Sequence, residues 1–271
     1  MKPFVITGLI IILFPVLLNA GGDNRPAGAR SAALGNASVA TCDLWSAFNN
    51  QAGLSRLENA EFGCYFENRY MMKELGYMAL AFARPMKSGT IALSATYFGY
   101  SAYNESKIGL AYAKGFGKYI AFGVQLDYNI ARLAESYGNH DFITFEAGML
   151  ANITPELSLG VHIYNPISAK FSSYNDERVP LNFSIGASFS LSDNITLVAE
   201  TEKNIFTKAT FNAGIEYRIV RNIFLRGGLS TGTSAFSFGA GFLFDDFKID
   251  ISSSYHTILG YSPQASLSYN F

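Results

Sequence analysis

The sequence predicts an all-β fold: a transmembrane antiparallel up-and-down β-barrel of about 14 strands with a short N-terminal hatch, or plug, in its lumen. Segments of about ten residues alternate between apolar and polar or small side chains, which is typical of strands with two different faces. Short polar turns separate these segments. One face is almost uniformly apolar and the other carries charges among many Gly and Ser, as expected for a lipid face and a lumen face.

Residues 1–20 are expected to be a secretory signal peptide. Lys2 gives a positive start, and residues 4–18 form an uncharged apolar run that is too short to cross a bilayer as a helix. The run ends at Leu18-Asn19-Ala20, which is similar to a small-residue cleavage site. An exported, strand-rich chain with no later apolar segment of helical length is predicted to lie in the outer membrane of a Gram-negative bacterium.

Residues 21–59 do not alternate and are predicted to form the hatch, before a barrel over residues 60–271. Residues 28–40 are small and Ala-rich. Asp43 is positioned to cap a short helix over 43–48, which a turn at 49–54 would end. A segment of small side chains that precedes a barrel can fold back into its lumen.

Fourteen segments fit the alternating pattern, and an even number allows a closed up-and-down barrel. Alternate connections are short and the others are longer, so the short ones are assigned to the periplasmic end. The longest connections are 131–141 and 169–179. The predicted strands are 61–68, 74–84, 89–99, 106–114, 119–131, 141–151, 156–165, 180–191, 194–202, 209–219, 222–230, 234–244, 246–256 and 262–271.

Charged side chains at inward positions are predicted to form a network in the lumen, which can pair with Arg30 of the hatch. Opposite charges in a narrow lumen more often hold a plug than bind a substrate. The predicted network is Glu146, Glu216, Arg218, Arg226, Lys248 and Asp250.

The C-terminal Tyr269 and Phe271 resemble the signal that the barrel-assembly machinery reads during insertion. The two cysteines, Cys42 and Cys64, allow either a disulfide in an oxidising compartment or two free thiols. Sequence alone leaves both alternatives open.

The composition argues against nucleic-acid binding and against catalysis. Charged residues make up 15% of the chain and the net charge is −1, so there is no basic surface for nucleic acid. Of the three histidines, His140 is predicted in a loop and His162 on the lumen face. A Ser254/His256 pair beside Asp250 has the residue types of a nucleophile and base, but a hydrogen-bond network of the lumen is favoured. No Cys/His spacing indicates a metal site, and no cofactor is expected.

The N-terminal motifs GARSAALGNASVA (28–40) and DLWSAFNNQAGLS (43–55) resemble the opening of the PorV/PorQ-like family, a branch of the FadL-like outer-membrane barrels. Gln51 stands where that family has Pro. The resemblance implies a 14-stranded barrel with a hatch in its lumen. The matching residues are Gly28, Ala29, Arg30, Leu34, Gly35, Ala37, Asn50, Ala52, Gly53 and Leu54, and Trp45 is a further expected hatch residue.

Two functions follow as expectations. The favoured one is a non-catalytic accessory subunit of an outer-membrane protein complex, because PorV-like relatives act in type IX secretion and the loops here are short. Its partners would be outer-membrane lipid and other outer-membrane proteins or lipoproteins, with the loop at 172–178 as a candidate contact. The alternative is a FadL-like transport channel for small hydrophobic molecules, gated by the hatch.

Overall fold

The computed structural model describes residues 24–133, 139–170, 178–232 and 236–271. The predicted signal peptide and residues 172–177 of the candidate contact loop lie outside these ranges. Within them, no helix is both long enough and apolar enough to cross a membrane.

Fourteen strands within the described residues form one closed sheet. Each strand pairs antiparallel with its neighbours in sequence, and β1 pairs with β14 to complete the ring. The predicted 14-stranded barrel is therefore confirmed. The strands are β1 Glu61–Asn68, β2 Gly76–Met86, β3 Gly89–Tyr100, β4 Tyr103–Phe116, β5 Ile120–Leu133, β6 Asn139–Asn152, β7 Leu157–Tyr164, β8 Asn182–Ser192, β9 Ile195–Asn204, β10 Thr210–Val220, β11 Ile223–Ser230, β12 Phe236–Phe244, β13 Phe247–His256 and β14 Gly260–Asn270.

The period-two pattern places apolar side chains outside and polar or small ones inside. Along β5, Leu126 is 54% exposed whereas Asp127 next to it is fully buried. Hydrocarbon offers no hydrogen-bond partner to a free strand edge, so closure of the sheet satisfies every backbone group at membrane depth.

Strands β4, β5 and β6 are each 14 residues long and extend past their predicted ends. The extra residues include Asn104 and Arg132, which are partners in the β4–β5 pairing. Hairpin pairing continues there although the apolar alternation has stopped, because antiparallel hydrogen bonds do not depend on a lipid-facing side chain. His140 consequently lies in β6, and its prediction as a loop residue is wrong.

The two ends of the barrel differ in their connections. The short-turn end carries the connections 87–88, 117–119, 153–156, 193–194, 221–222 and 245–246. The long-loop end carries the remaining ones, including 69–75 and 165–181. The chain enters β1 at the short-turn end.

The described N-terminal residues 24–59, called the hatch below, fill the interior. They contain helices α1 (Ala29–Ala33) and α2 (Ser46–Asn49) and a 3₁₀ helix over Gln51–Arg56. The helix predicted at 43–48 begins three residues later, because the Asp43 carboxylate accepts a hydrogen bond from the Trp45 amide and holds a turn instead. Outside the hatch, 3₁₀ turns Arg69–Met71 and Lys73–Leu75 form part of the β1–β2 loop.

The two cysteines are free thiols, which corrects the disulfide alternative. The alternation of β1 turns Cys64 towards the outer face, where it sits between the exposed Phe62 and Phe66. Cys42 belongs to the hatch and lines a cavity at the short-turn end. The barrel wall therefore separates the two residues.

The outward face of β5 tests the lipid contact directly. We expect Leu126→Arg to lower the free energy of unfolding by about 2–4 kcal/mol, because a charge near the bilayer midplane loses its hydration. Tyr119→Arg, just before β5 at the short-turn end, should cost about 0–1 kcal/mol. Urea titration of the protein refolded into lipid vesicles measures both, and equal values for the two variants would contradict a hydrocarbon belt at Leu126.

Candidate functional site

Facing pairs of glycines mark the lumen wall. On three pairs of neighbouring strands, a glycine of one strand lies directly opposite a glycine of the next. We call these pairs the glycine notches. They are Gly123 and Gly148 on β5 and β6, Gly160 and Gly186 on β7 and β8, and Gly214 and Gly228 on β10 and β11.

The hatch backbone and short side chains occupy the notches at contact distance. A Cβ atom on Gly148 would lie 2.0 Å from the Asn50 side-chain oxygen, and one on Gly160 would lie 2.1 Å from the Val39 carbonyl oxygen. Real Cβ atoms do not approach other atoms so closely. Any larger residue at these wall positions therefore has to displace the hatch.

Two hatch glycines allow close contacts, Gly35 with the wall and Gly28 within the hatch. Gly35 has a φ of 70°, and its amide nitrogen would lie 2.2 Å from a Cβ on Gly228. Gly28 has a φ of 104°, and a Cβ there would lie 2.6 Å from the Trp45 ring. Both conformations are strained for residues with a side chain. The backbone geometry therefore explains why these two motif positions are glycine.

Arg30 is at the centre of an ion-pair cluster that joins the hatch to the wall. Its guanidinium donates to both carboxylate oxygens of Glu216, at 2.9 and 2.8 Å, and to Asp43 at 3.0 Å. Arg226 donates to Glu216 at 2.5 Å and to Asp250 at 2.7 Å. Paired, two-pronged geometry of this kind stabilises charges that are largely withdrawn from water.

The remaining predicted network residues are placed differently. Lys248 lies at the margin of this cluster, with its ammonium 3.8 Å from Asp250. Arg218 is not part of it. It lies near the short-turn end of β10 and donates to Asn194 at 3.4 Å and to the Asp193 carbonyl in the β8–β9 turn.

Glu146 belongs to a separate cluster, so the prediction of a single network is wrong. Its fully buried carboxylate accepts from Lys107 at 2.9 Å and contacts His162 Nε2 at 2.9 Å. Gln51 of the hatch donates to it at 2.6 Å. The amide at position 51, where the resembled family has Pro, therefore makes a direct bond to the wall. Asp127 lies 3.9 Å from the Lys107 ammonium.

Sequence reasoning missed several of these residues. Lys107 and Asp127 occupy inward positions of their strands, and this alternation was the only feature of the sequence that could have identified them as lumen residues. Glu200 on β9 is also a buried wall residue, and its carboxylate accepts hydrogen bonds from the Ser38 and Val39 amides, both at 2.8 Å. Backbone donors in a hatch cannot be assigned to a wall residue before the fold is known.

The opposite side of the hatch makes a different contact, which we call the apolar seam. Hydrogen bonds join the hatch to β6, β9, β10 and β12. Towards β2, β3 and β4 it presents mainly Leu44, Trp45, Phe48 and Leu54. The polar bonds on this side are made by Arg25, which donates to Glu105 on β4 and accepts from Tyr77 on β2. The wall there is lined by alanines, which are Ala79, Ala81, Ala83, Ala92, Ala111 and Ala113.

Aromatic rings run along the seam. Trp45 stacks on Phe48 with ring centroids 6.2 Å apart and meets the edge of Tyr65 at 5.9 Å. Tyr65 in turn contacts Tyr77 edge to face at 5.8 Å. Such offset and edge contacts add to the burial of the rings.

Two cavities lie on either side of this aromatic contact. The long-loop cavity has a volume of about 540 Å³ and Tyr65 is one of its lining residues. The short-turn cavity has a volume of about 350 Å³ and Trp45 is one of its lining residues. Because the two rings touch, the two cavities approach each other at the Trp45–Tyr65 contact.

The other candidate residues form no catalytic group. His256 Nδ1 accepts from the amides of Ile258 and Leu259, both at 3.1 Å, so it closes the β13–β14 turn. The Ser254 hydroxyl accepts from Gln264 at 3.0 Å. The Ser254/His256 pair is therefore not assembled, and the described residues contain no cluster of metal-ligating side chains.

The C-terminal aromatic residues lie together at the short-turn end. The rings of Tyr269 and Phe271 are 4.9 Å apart, and Phe271 is exposed on the outer face. Their role as an assembly signal stays a prediction.

The glycine notches predict a contrast between two adjacent residues of β11. We expect Gly228→Ala to lower the free energy of unfolding by about 1–3 kcal/mol, because its Cβ meets the Gly35 amide. Gly227→Ala faces outward, where the nearest atom is 3.9 Å from the new Cβ, and should change it by about 0.5 kcal/mol or less. Urea titration in detergent measures both, and equal effects would contradict a docked hatch.

The Arg30 cluster predicts how firmly the hatch is held. Arg30→Gln leaves Glu216 and Asp43 poorly compensated, at a cost of about 3–5 kcal/mol. We expect the hatch to loosen and the single-channel conductance in a planar bilayer to rise. Arg218→Gln is the matched control and should leave the conductance unchanged. The cluster would have no role in holding the hatch if both variants conducted like the parent.

Comparisons with known proteins identify the fold. No family model matches the chain, and no curated protein matches its sequence. Among solved structures it is similar to the CymD monoaromatic hydrocarbon channel, with 12% identity, a TM-score of 0.69 and coverage of 93% of this chain and 99% of that one. It is similar to the toluene transporter TbuX of Ralstonia pickettii, with 12% identity, a TM-score of 0.69 and coverage of 90% of this chain and 98% of that one. It is also similar to a FadL homologue of Pseudomonas aeruginosa, with 12% identity, a TM-score of 0.63 and coverage of 92% of this chain and 98% of that one.

These similarities correct the functional prediction. Two of the three structures are named as a channel or a transporter, which contradicts the favoured accessory-subunit function and agrees with the expected absence of catalysis. Neither type IX secretion nor the PorV/PorQ-like branch is supported by them. The shared architecture does agree with the predicted outer-membrane location. The chain has the fold of the FadL-like outer-membrane β-barrels.

Proposed function

We propose that this protein is an outer-membrane channel for small hydrophobic molecules, with the hatch as its gate. The observation that carries the proposal is the apolar seam, where Trp45, which lines the short-turn cavity, meets Tyr65, which lines the long-loop cavity. The fold supports it, because structures of the same architecture are named as channels for monoaromatic hydrocarbons or toluene.

The two sides of the hatch differ in what their separation costs. Detaching the Arg30 cluster would leave buried charges without partners, at several kcal/mol for each broken pair. Opening the seam breaks mainly apolar contacts, which are worth roughly 25 cal/mol per Å², and the ion pair on this side, Arg25–Glu105, lies at the long-loop end. A hydrophobic solute that enters the seam restores much of that contact with its own surface. The gate therefore opens along β2–β4 while the opposite side remains anchored.

The seam also determines which solutes pass. Its wall offers alanine methyl groups and aromatic rings, which give a polar solute no hydrogen bonds in exchange for those it loses to water. An aromatic hydrocarbon can stack against Trp45 and Tyr65 in the offset or edge geometry these rings already adopt. Small aromatic molecules are the substrates that fit best.

We also propose how the chain is divided and where it stands among FadL-like barrels. Residues 1–20 are the signal peptide, 21–59 the hatch and 60–271 the barrel, whose exposed apolar belt contacts outer-membrane lipid. Placement in the PorV/PorQ-like branch rests on the N-terminal motif. Its Gly28 and Gly35 adopt positive φ angles, and its Arg30 binds Glu216.

Uptake by whole cells tests the function. Hydrophobic solutes cross phospholipid unaided, so the assay needs an outer membrane with lipopolysaccharide, in a Gram-negative host that lacks its own FadL-like channel. We expect expression of this protein to raise the initial rate of radiolabelled toluene uptake several-fold. An unchanged rate, with the folded protein shown to be in the outer membrane, would contradict the proposal.

Two variants separate gating from stability. Trp45→Ala removes the ring between the cavities and should raise toluene uptake further. Phe48→Ala removes a buried hatch ring that lines neither cavity, so it should destabilise the protein without a comparable rise. Equal uptake by the two variants would place the passage elsewhere.

A further inference from the structure

The long-loop cavity has a wall unlike that of the seam. Its described lining residues include no Leu, Ile, Val, Met or Phe. Nine of them carry a hydroxyl group and six carry an amide, which are Asn24, Asn36, Asn182, Asn204, Asn212 and Gln264. The cavity volume of about 540 Å³ falls within the range of small-molecule sites, roughly 300–1,000 Å³.

The charges around this cavity are largely paired within the protein. Arg25 binds Glu105 at 2.6 Å, and Arg69 binds Glu67 at 2.9 Å. The two other charged residues in the described lining, Glu202 and Lys208, have opposite signs, and Glu202 accepts from the Asn182 amide at 3.1 Å. The surface left for a ligand is therefore polar and close to neutral, which disfavours phosphates and other strongly charged solutes.

Asn182 shows that a partner is missing. Its side chain is 94% buried, since its relative exposure is 6%, and it faces the cavity from the long-loop end of β8. The amide nitrogen is bonded to Glu202, but no group among the described residues bonds to the buried Oδ1 atom. The Oδ1 atom of Asn24, on the hatch side of the same cavity, is likewise buried without a partner. Buried acceptors are normally satisfied, so this pair indicates a ligand with hydroxyl donors.

We propose that the long-loop cavity binds a neutral saccharide of one or two sugar units. Sugar hydroxyls donate to Asn182 and Asn24 and exchange further hydrogen bonds with the remaining amides and hydroxyls. Tyr70, which is half-buried, supplies a flat ring for the less polar face of a sugar. The cavity borders the seam at Tyr65, but the proposal does not depend on hydrocarbon transport.

The same sugar chemistry has two sources at an outer surface: a free saccharide or the sugar portion of an outer-leaflet glycolipid. Calorimetric titration of the whole mature protein in detergent distinguishes them. Glucose and maltose represent the free source, and detergent-solubilised lipopolysaccharide represents the lipid source. Glucose 6-phosphate tests the preference for neutral ligands.

We expect saturable binding of glucose or maltose that is weaker by about tenfold in Asn182→Leu. Asn24→Leu should weaken binding similarly. It tests the same cavity from the hatch side, so the proposal can still be tested if Asn182→Leu does not fold. Asn152→Leu, an amide at the short-turn end of β6, is the matched control and should bind like the parent.

Binding of lipopolysaccharide alone, with the same dependence on Asn182, would support the site with a lipid source. The proposal would be overturned if neither source bound saturably, if glucose 6-phosphate bound more tightly than glucose, or if all three variants bound alike. Toluene uptake is measured separately, so failure here leaves the transport proposal standing.

Discussion

The close approach of the hatch to facing glycines is the constraint on which the rest of the structure depends. A 14-stranded barrel encloses a lumen that must be either filled with water or packed. Here the wall has no side chains at three facing pairs of glycines, and the hatch occupies the space that side chains would take. The pairs are Gly123/Gly148, Gly160/Gly186 and Gly214/Gly228. Because the fit is between backbone and backbone, it fixes the path of the hatch, and the ion pairs then hold a segment that is already positioned.

The contacts between hatch and wall differ in kind around the barrel, and this difference bears on the proposed function. Directional bonds to Glu146, Glu200 and Glu216 hold one side of the hatch. Alanines, leucines and aromatic rings make most of the contacts along the apolar seam on the other side. The channel that we propose has to stay sealed to ions and yet admit a hydrophobic solute, and such a division suits it, because the anchored side would keep the hatch in place while the seam opens. The polar cavity at the long-loop end is a third environment with its own ligand chemistry.

The sequence predicted the strands well because period-two alternation is a direct consequence of strand geometry in lipid. It also predicted that Arg30 pairs with the lumen charges. It could not show which inward residues meet. Arg218 and Arg226 have the same parity on adjacent strands, yet only Arg226 lies deep enough to reach Glu216. The functional prediction was wrong because a motif of about 30 residues was weighed above the architecture of the whole barrel.

Hydrogen–deuterium exchange of the folded protein in detergent, resolved by peptide, tests the central claim most directly. If the hatch is docked in the notches, amides of residues 32–53 should exchange as slowly as those of the barrel strands, with the Ser38 and Val39 amides protected by Glu200. Exchange of this segment within seconds, while the strands remain protected, would show that the lumen is not filled by the hatch and would contradict the account.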